Sequence, residues 1–182
     1  MVRQKLEEVI LHAYVPLDSN DIIKSLHLFR GVVVPVMTIE HSSEDGRSGA
    51  VLELRSTQNS TRLHIRGGTA PEDKFLGYGD NAQTKNDVFV DHPSFVASWQ
   101  VHLGDTSQKP YPGGIRTPLD DRIAISGFTW QRDTIGCLWI AQKIERMSYV
   151  QALEIANMCG IRGEFIELME KMDVAYTMLT VV

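Results

Sequence analysis

Cysteine is scarce in this chain: two in 182 residues, Cys137 and Cys159, each inside an apolar stretch. So few thiols exclude a disulfide framework and a Cys-rich zinc site, and the expectation is two buried free thiols in a reducing compartment. Long hydrophobic runs are also missing. The longest, Val32 to Met37 and Val150 to Met158, are short or interrupted, so no window reaches the ~20 continuous apolar residues of a membrane span. Basic runs are absent as well. With net charge −5 and no Lys/Arg cluster beyond two or three residues, the chain lacks the footprint that a nucleic-acid backbone requires. The first residues, MVRQKLEEVILHAY, carry acids and no apolar signal core, so the expected location is cytoplasmic and the Asn59-Ser60-Thr61 sequon is expected to stay unused.

Motifs with a defined chemistry are missing too. The six histidines, His12, His27, His41, His64, His92 and His102, form neither HxH nor HExxH, and no metal site is expected. There is no GxSxG elbow, no GxGxxG and no Walker loop. What remains is an apolar share of 43%, enough for a 182-residue chain to bury its own core and to stay ordered without staples.

The hydrophobic pattern orders that core. Leu6, Val9, Ile10 and Ala13 recur at helical spacing, as do Ile22, Ile23, Leu26 and Phe29 after the capping sequence Ser19-Asn20-Asp21. Gly31 is expected to end this second helix. The β-branched run Val32 to Ile39 reads as a buried strand, with Pro35 arguing for an edge or bulge. Val51–Leu54 and Arg62–Ile65 read as a hairpin after the Asp45-Gly46 turn. Pro71-Glu72-Asp73 starts a helix that Gly77 and Gly79 should interrupt, with a second helical stretch over Asn81–Val90. Phe95–Leu103 alternates like a strand, residues 104–114 read as a loop, and Arg122–Ser126 as a short strand. Helices follow: one through Ile135, Leu138 and Trp139, one after the cap Ser148, and one over Ile161–Met172. The whole is expected to be an α+β domain on a largely antiparallel sheet.

A few residues stand out as chemical candidates. His92, in Asp91-His92-Pro93-Ser94, sits where a helix meets a strand. It would either cap the helix end or act as a ligand or proton donor. Asp133 would be a first-turn acid of a helix or a carboxylate facing a pocket. The pairs Gly67-Gly68 and Gly113-Gly114 permit tight turns, or bring bare N–H groups close to a ligand. Trp130, beside Ser126-Gly127, would line a pocket or a subunit interface.

The order Tyr111-Pro112-Gly113-Gly114-Ile115, then Arg122-Ile123-Ala124-Ile125-Ser126-Gly127-Phe128, then Asp133, resembles the GlcG/HbpS-like family, whose members are often labelled haem-binding or haem-degrading. His92 and Ser94 are similar to a His-Ser pair of one subgroup, with Pro93 inserted. The resemblance implies a profilin-like fold: α/β/α layers around a five-stranded, largely antiparallel sheet, formed by residues 1–145. Residues 146–182 extend beyond it as helices packed on the core or on a neighbouring subunit. It further implies a homo-oligomer that binds a small molecule, with haem as the candidate cofactor. His92, Ser94, Gly113, Gly114, Ser126 and Gly127 would line that site. Two other readings stand beside it: an oligomeric scaffold without catalysis, and an enzyme that uses His92 and Asp133 as an acid–base pair on a small organic substrate.

Overall fold

The computed structural model describes residues 17–41, 48–57, 61–102 and 112–180, the side chains of residues 40 and 41 excepted. The expected first helix with His12, the Asp45-Gly46 turn, the sequon, Tyr111 and residues 104–111 lie outside the described residues.

Helix α1 (Ser19–Leu28) is capped one residue earlier than the sequence suggests. Asp18 accepts the Asp21 N–H at 2.9 Å, and Asp21 accepts the Asp18 N–H at 3.2 Å. Gly31 does not end the helix. The chain passes through a π-helical turn, Phe29–Val33, straight into α2 (Val34–His41), so the expected strand over Val32–Ile39 is helical. In the turn the Val34 N–H bonds the Phe29 carbonyl, five residues back. That wider turn accommodates Pro35, which has no N–H and whose ring crowds the preceding turn of a regular helix. Burial overrides the β-propensity of the run: Phe29, Val33 and Met37 recur every four residues and are fully buried. By length and composition the continuous helix Ser19–Ile39 is apolar enough to cross a membrane, a property that counting uninterrupted apolar residues misses. In the fold its buried face packs on the sheet and on the C-terminal helix.

Strands β1 (Gly49–Ser56) and β2 (Arg62–Gly68) form the expected hairpin, in register from Gly49 opposite Gly68 to Arg55 opposite Arg62. Helix α3 (Glu72–Asp91) follows as one unbroken helix. Gly77 and Gly79 do not interrupt it, because Phe75, Ala82, Val88 and Phe89 hold it down by burial. Strand β3 (Gly114–Arg116) and strand β4 (Asp121–Ser126) complete an antiparallel sheet of order β2-β1-β4-β3. The sheet therefore has four strands among the described residues instead of five. The expected strand Phe95–Leu103 is reduced to one bridge, Ala97 opposite Ile115, and a 3-10 turn over Ser98–Val101. The Gln100 side-chain carbonyl takes the Val96 and Ala97 N–H groups at 2.7 and 3.0 Å. Those donors are thereby lost to any longer ladder.

Side chains alternate across the sheet. Ala50, Leu52, Leu54, Ile123 and Ile125 enter the main core, beneath helices α4 (Trp130–Lys143), α5 (Tyr149–Met158) and α6 (Arg162–Thr180) and the α1–α2 segment. Val51, Glu53 and Arg55 face the other way, toward α3. Ser148 caps α5 through a capping box with Gln151. Ile155, Phe165, Leu168 and Met172 belong to the same core as Leu52 and Trp139, and the Trp139 indole N–H bonds Asp173 at 2.8 Å. Residues 146–180 thus complete the hydrophobic core on this face of the sheet. A chain truncated after Glu145 would expose that surface, and circular dichroism is expected to show loss of the cooperative melt.

Arg146 joins the C-terminal half to the start of the fold. It is buried, bonds the Asp21 carboxylate of the α1 cap, and lies 3.5 Å from Asp121 Oδ2. Neither Asp121 oxygen accepts a hydrogen bond. Burial pushes its carboxyl from 3.8 up to about 6, and Arg146 offsets only part of that rise. The native state therefore holds this proton through pH 4–6 while the unfolded chain has lost it. Stability falls as pH rises across that window, by about 3 kcal/mol when complete. Asp121→Asn is expected to gain stability relative to the parent between pH 4 and pH 7, read from urea midpoints at each pH. A constant difference would show that Asp121 titrates normally.

Candidate functional site

Two buried carboxylates set the position of α3. The first, Glu53, is fully buried on β1. Its Oε1 accepts from Arg55 at 2.8 Å and Arg62 at 2.9 Å, with His64 Nε2 at 3.1 Å, and its Oε2 accepts from Asn86 of α3 at 3.2 Å. Arg55 continues to Asp87 at 2.6 Å and Arg62 to the Gln83 side chain. This network fastens one end of α3 to the hairpin through charge-assisted bonds.

The second is Asp133, in the first turn of α4. Its Oδ2 accepts from Lys85 Nζ at 2.8 Å and its Oδ1 from the Phe128 N–H at 3.1 Å. Lys85 also donates to the Ile125 carbonyl at 2.6 Å and is only 1% exposed. Both bonds engage the Lys85 nitrogen, which is therefore no free amine nucleophile. Above this pair opens a cleft of about 920 Å³ between α3 and the β4–α4 junction. From α3 come Lys74, Tyr78, Asn81 and Lys85, spaced four, three and four residues apart on one helix face. From the junction come Ser126, Gly127, Phe128, Thr129, Trp130 and Gln131.

Of the residues the sequence nominates, the fold brings Ser126, Gly127 and Asp133 to this cleft. Gly127 has φ +146°, and a Cβ there would lie 2.5 Å from the Gly49 carbonyl oxygen, so the position requires glycine for backbone geometry as well as for the cleft. Gly113 and Gly114 stand behind the cleft. Their N–H groups bond Ser98 Oγ at 3.2 and 2.9 Å, which corrects the expectation that they approach a ligand. Gly113, at φ +131°, makes room for the ion pair: a Cβ there would sit 2.6 Å from Lys85 Nζ. His92 and Ser94 are exposed at the far end of α3, where His92 stacks on Phe95 at 4.8 Å and its N–H bonds the Val88 carbonyl. His92 follows Lys85 by seven residues, roughly 10 Å along the helix axis. The fold therefore does not assemble His92 and Asp133 into one pair.

Sequence reading missed Lys74, Tyr78, Asn81 and Lys85. Their spacing was visible, but only on a helix read as continuous across Gly77 and Gly79. The thiols are inert. Cys137 is buried, bonded to the Gly113 carbonyl, and raised far above the ordinary thiol range by burial, while Cys159 is pushed up to about 12. Among the described residues no cluster of three or more His, Cys, Asp or Glu is placed to hold a metal ion. Comparison of the chain with protein-family models, curated proteins and solved structures gave no match.

The ion pair is testable as a unit. Lys85→Met leaves a buried carboxylate without its cation and is expected to cost about 3–5 kcal/mol. Combining it with Asp133→Leu should recover most of that loss, because both desolvation costs vanish together. Urea denaturation of the two singles and the double closes the cycle. Strict additivity would mean that the two charges do not stabilise each other.

Proposed function

We propose that this chain is a small-molecule-binding domain of the GlcG/HbpS-like kind, with its site in the cleft between α3 and α4. One observation carries the reading. Ser126, a residue only 5% exposed, lines the cleft, and its hydroxyl has no hydrogen-bond partner among the described residues. A hydroxyl that reaches a cleft without a protein partner is open to a ligand or to water. Tyr78 and Asn81, half-buried on the opposite wall, likewise spend their polar atoms on no protein group. The volume falls in the range of cofactor and metabolite sites. The arrangement of helices on both sheet faces, with a fifth strand reduced to the Ala97–Ile115 bridge, supports the profilin-like comparison.

A haem in this cleft would need an axial ligand; the described lining residues include no histidine, cysteine or methionine, which leaves Tyr78 as the side chain of a haem-ligating type. His92 points to another part of the surface.

A thermal-shift screen of small polar metabolites, repeated on Asn81→Phe, tests the reading. The phenyl ring should fill the cleft from one helix face without strain. Compounds that stabilise the parent are expected to lose their effect on the variant, with the unliganded melting temperature little changed. Hits indifferent to Asn81→Phe would place binding elsewhere. A haemin titration run alongside is expected to give no Soret change that depends on His92.

A further inference from the structure

We infer that the ligand of this cleft is a small organic anion whose carboxylate or phosphate group is held by Lys74 and the first turn of α4, with its body against Tyr78 and Trp130. This rests on the cleft being the ligand site. Its charge balance is the first argument. Lys85 and Asp133 neutralise each other at 2.8 Å. Lys74 lines the rim and has no ion-pair partner among the described residues, so the described lining carries one uncompensated positive charge. The nearest acid in sequence that has a partner, Glu72, is already bound by Arg66 at 2.7 Å.

Helix α4 adds to this field. Thr129 stands at its N-cap, but its side chain makes no capping bond. The first intrahelical bond runs from the Asp133 N–H to the Thr129 carbonyl. The N–H groups of Trp130, Gln131 and Arg132 are therefore left without acceptors at the positive end of a 14-residue helix. Trp130 and Gln131 both line the cleft, so this end opens onto it. Such a terminus is suited to an oxyanion.

The buried groups point the same way, independently of the helix. Ser126 offers an unused O–H at 5% exposure. Lys85 has three N–H bonds and two acceptors, Ile125 and Asp133. With both acceptors filled on the Lys85 side, the Ser126 hydroxyl is the donor left at the floor. The Lys74 ammonium, the Tyr78 phenol and the Asn81 amide add donors along the wall. Among the described lining residues the one carboxylate, Asp133, is already engaged by Lys85 and the Phe128 N–H. A lining rich in donors and short of open acceptors selects an acceptor-rich ligand. Tyr78 and Trp130 supply flat apolar surface for the rest of it.

Four probes that share a phenyl ring separate the terms: benzoate, phenyl phosphate, benzyl alcohol and benzylamine. They would be titrated into the full chain and followed by melting temperature and calorimetry. Benzoate or phenyl phosphate is expected to bind saturably and more weakly at high salt, and the better of the two identifies the oxyanion. Lys74→Ala should weaken that binding by about ten-fold, the effect of one charge-assisted bond. Asn81→Phe should abolish it. If the alcohol or the amine binds as well as the anions, and Asn81→Phe still abolishes binding, the cleft is the site but its ligand is not an anion. Anion binding that survives Lys74→Ala unchanged overturns the assignment of the oxyanion to Lys74. Failure of all four probes overturns both the anion and the cleft.

Discussion

Lys85 and Asp133 meet at 2.8 Å in a region where both are almost closed to water, and the surrounding geometry follows from the need to satisfy them. An unpaired charge at that depth would cost several kcal/mol, so each neighbour contributes a compensating group. β4 supplies the Ile125 carbonyl, the β4–α4 junction supplies the Phe128 N–H, and α4 supplies the carboxylate itself. Gly113 leaves out the Cβ that would strike the ammonium. The pair therefore sets how deeply α3 lies over the sheet and where α4 begins. The cleft is the space left between those two elements above their shared charges.

The two faces of the sheet are chemically unlike. One is apolar, with Leu52, Leu54, Ile123 and Ile125 meeting Phe29, Trp139 and Phe165 in a continuous core. The other carries Glu53, Arg55, Arg62 and His64 under a single helix, which adds Lys85, with only a small apolar cluster of Val51, Phe75, Ala82 and Ala124. An apolar core closes on itself because contact is favourable in any direction. A polar layer closes only where donors and acceptors match. Beside Glu53 they match, and α3 is pinned. Beside Ser126, Tyr78 and the α4 terminus they do not, and a cleft remains.

How much was legible depended on whether local signals competed. The hairpin of β1 and β2, the strand ending at Ser126 and the cap at Ser148 were readable because pattern and turn chemistry agreed there. Ser126-Gly127 and Asp133, singled out from their order along the chain, all line the cleft. Val32–Ile39 was misread because β-branched composition and Pro35 favoured a strand, whereas the buried fourfold spacing of Phe29, Val33 and Met37 favoured a helix. Phe95–Leu103 alternated like a strand, but Gln100 captured its backbone donors. His92 drew attention as a titratable residue at a junction, yet the fold leaves it stacked on Phe95 at the surface.

The sequence by itself determined the α+β class, the antiparallel hairpin and the capped start of the helix after Ser148, because capping, turns and hydrophobic period act over a few neighbouring residues. Only the tertiary structure decided that Lys85 is half of a buried ion pair, that the face through Lys74, Tyr78 and Asn81 looks onto Ser126, and that the Gly113-Gly114 amides are bound by Ser98. Each of these joins residues 15 to 52 positions apart. Their partners are chosen by the desolvation of charge and the close approach of backbones, which no local period records.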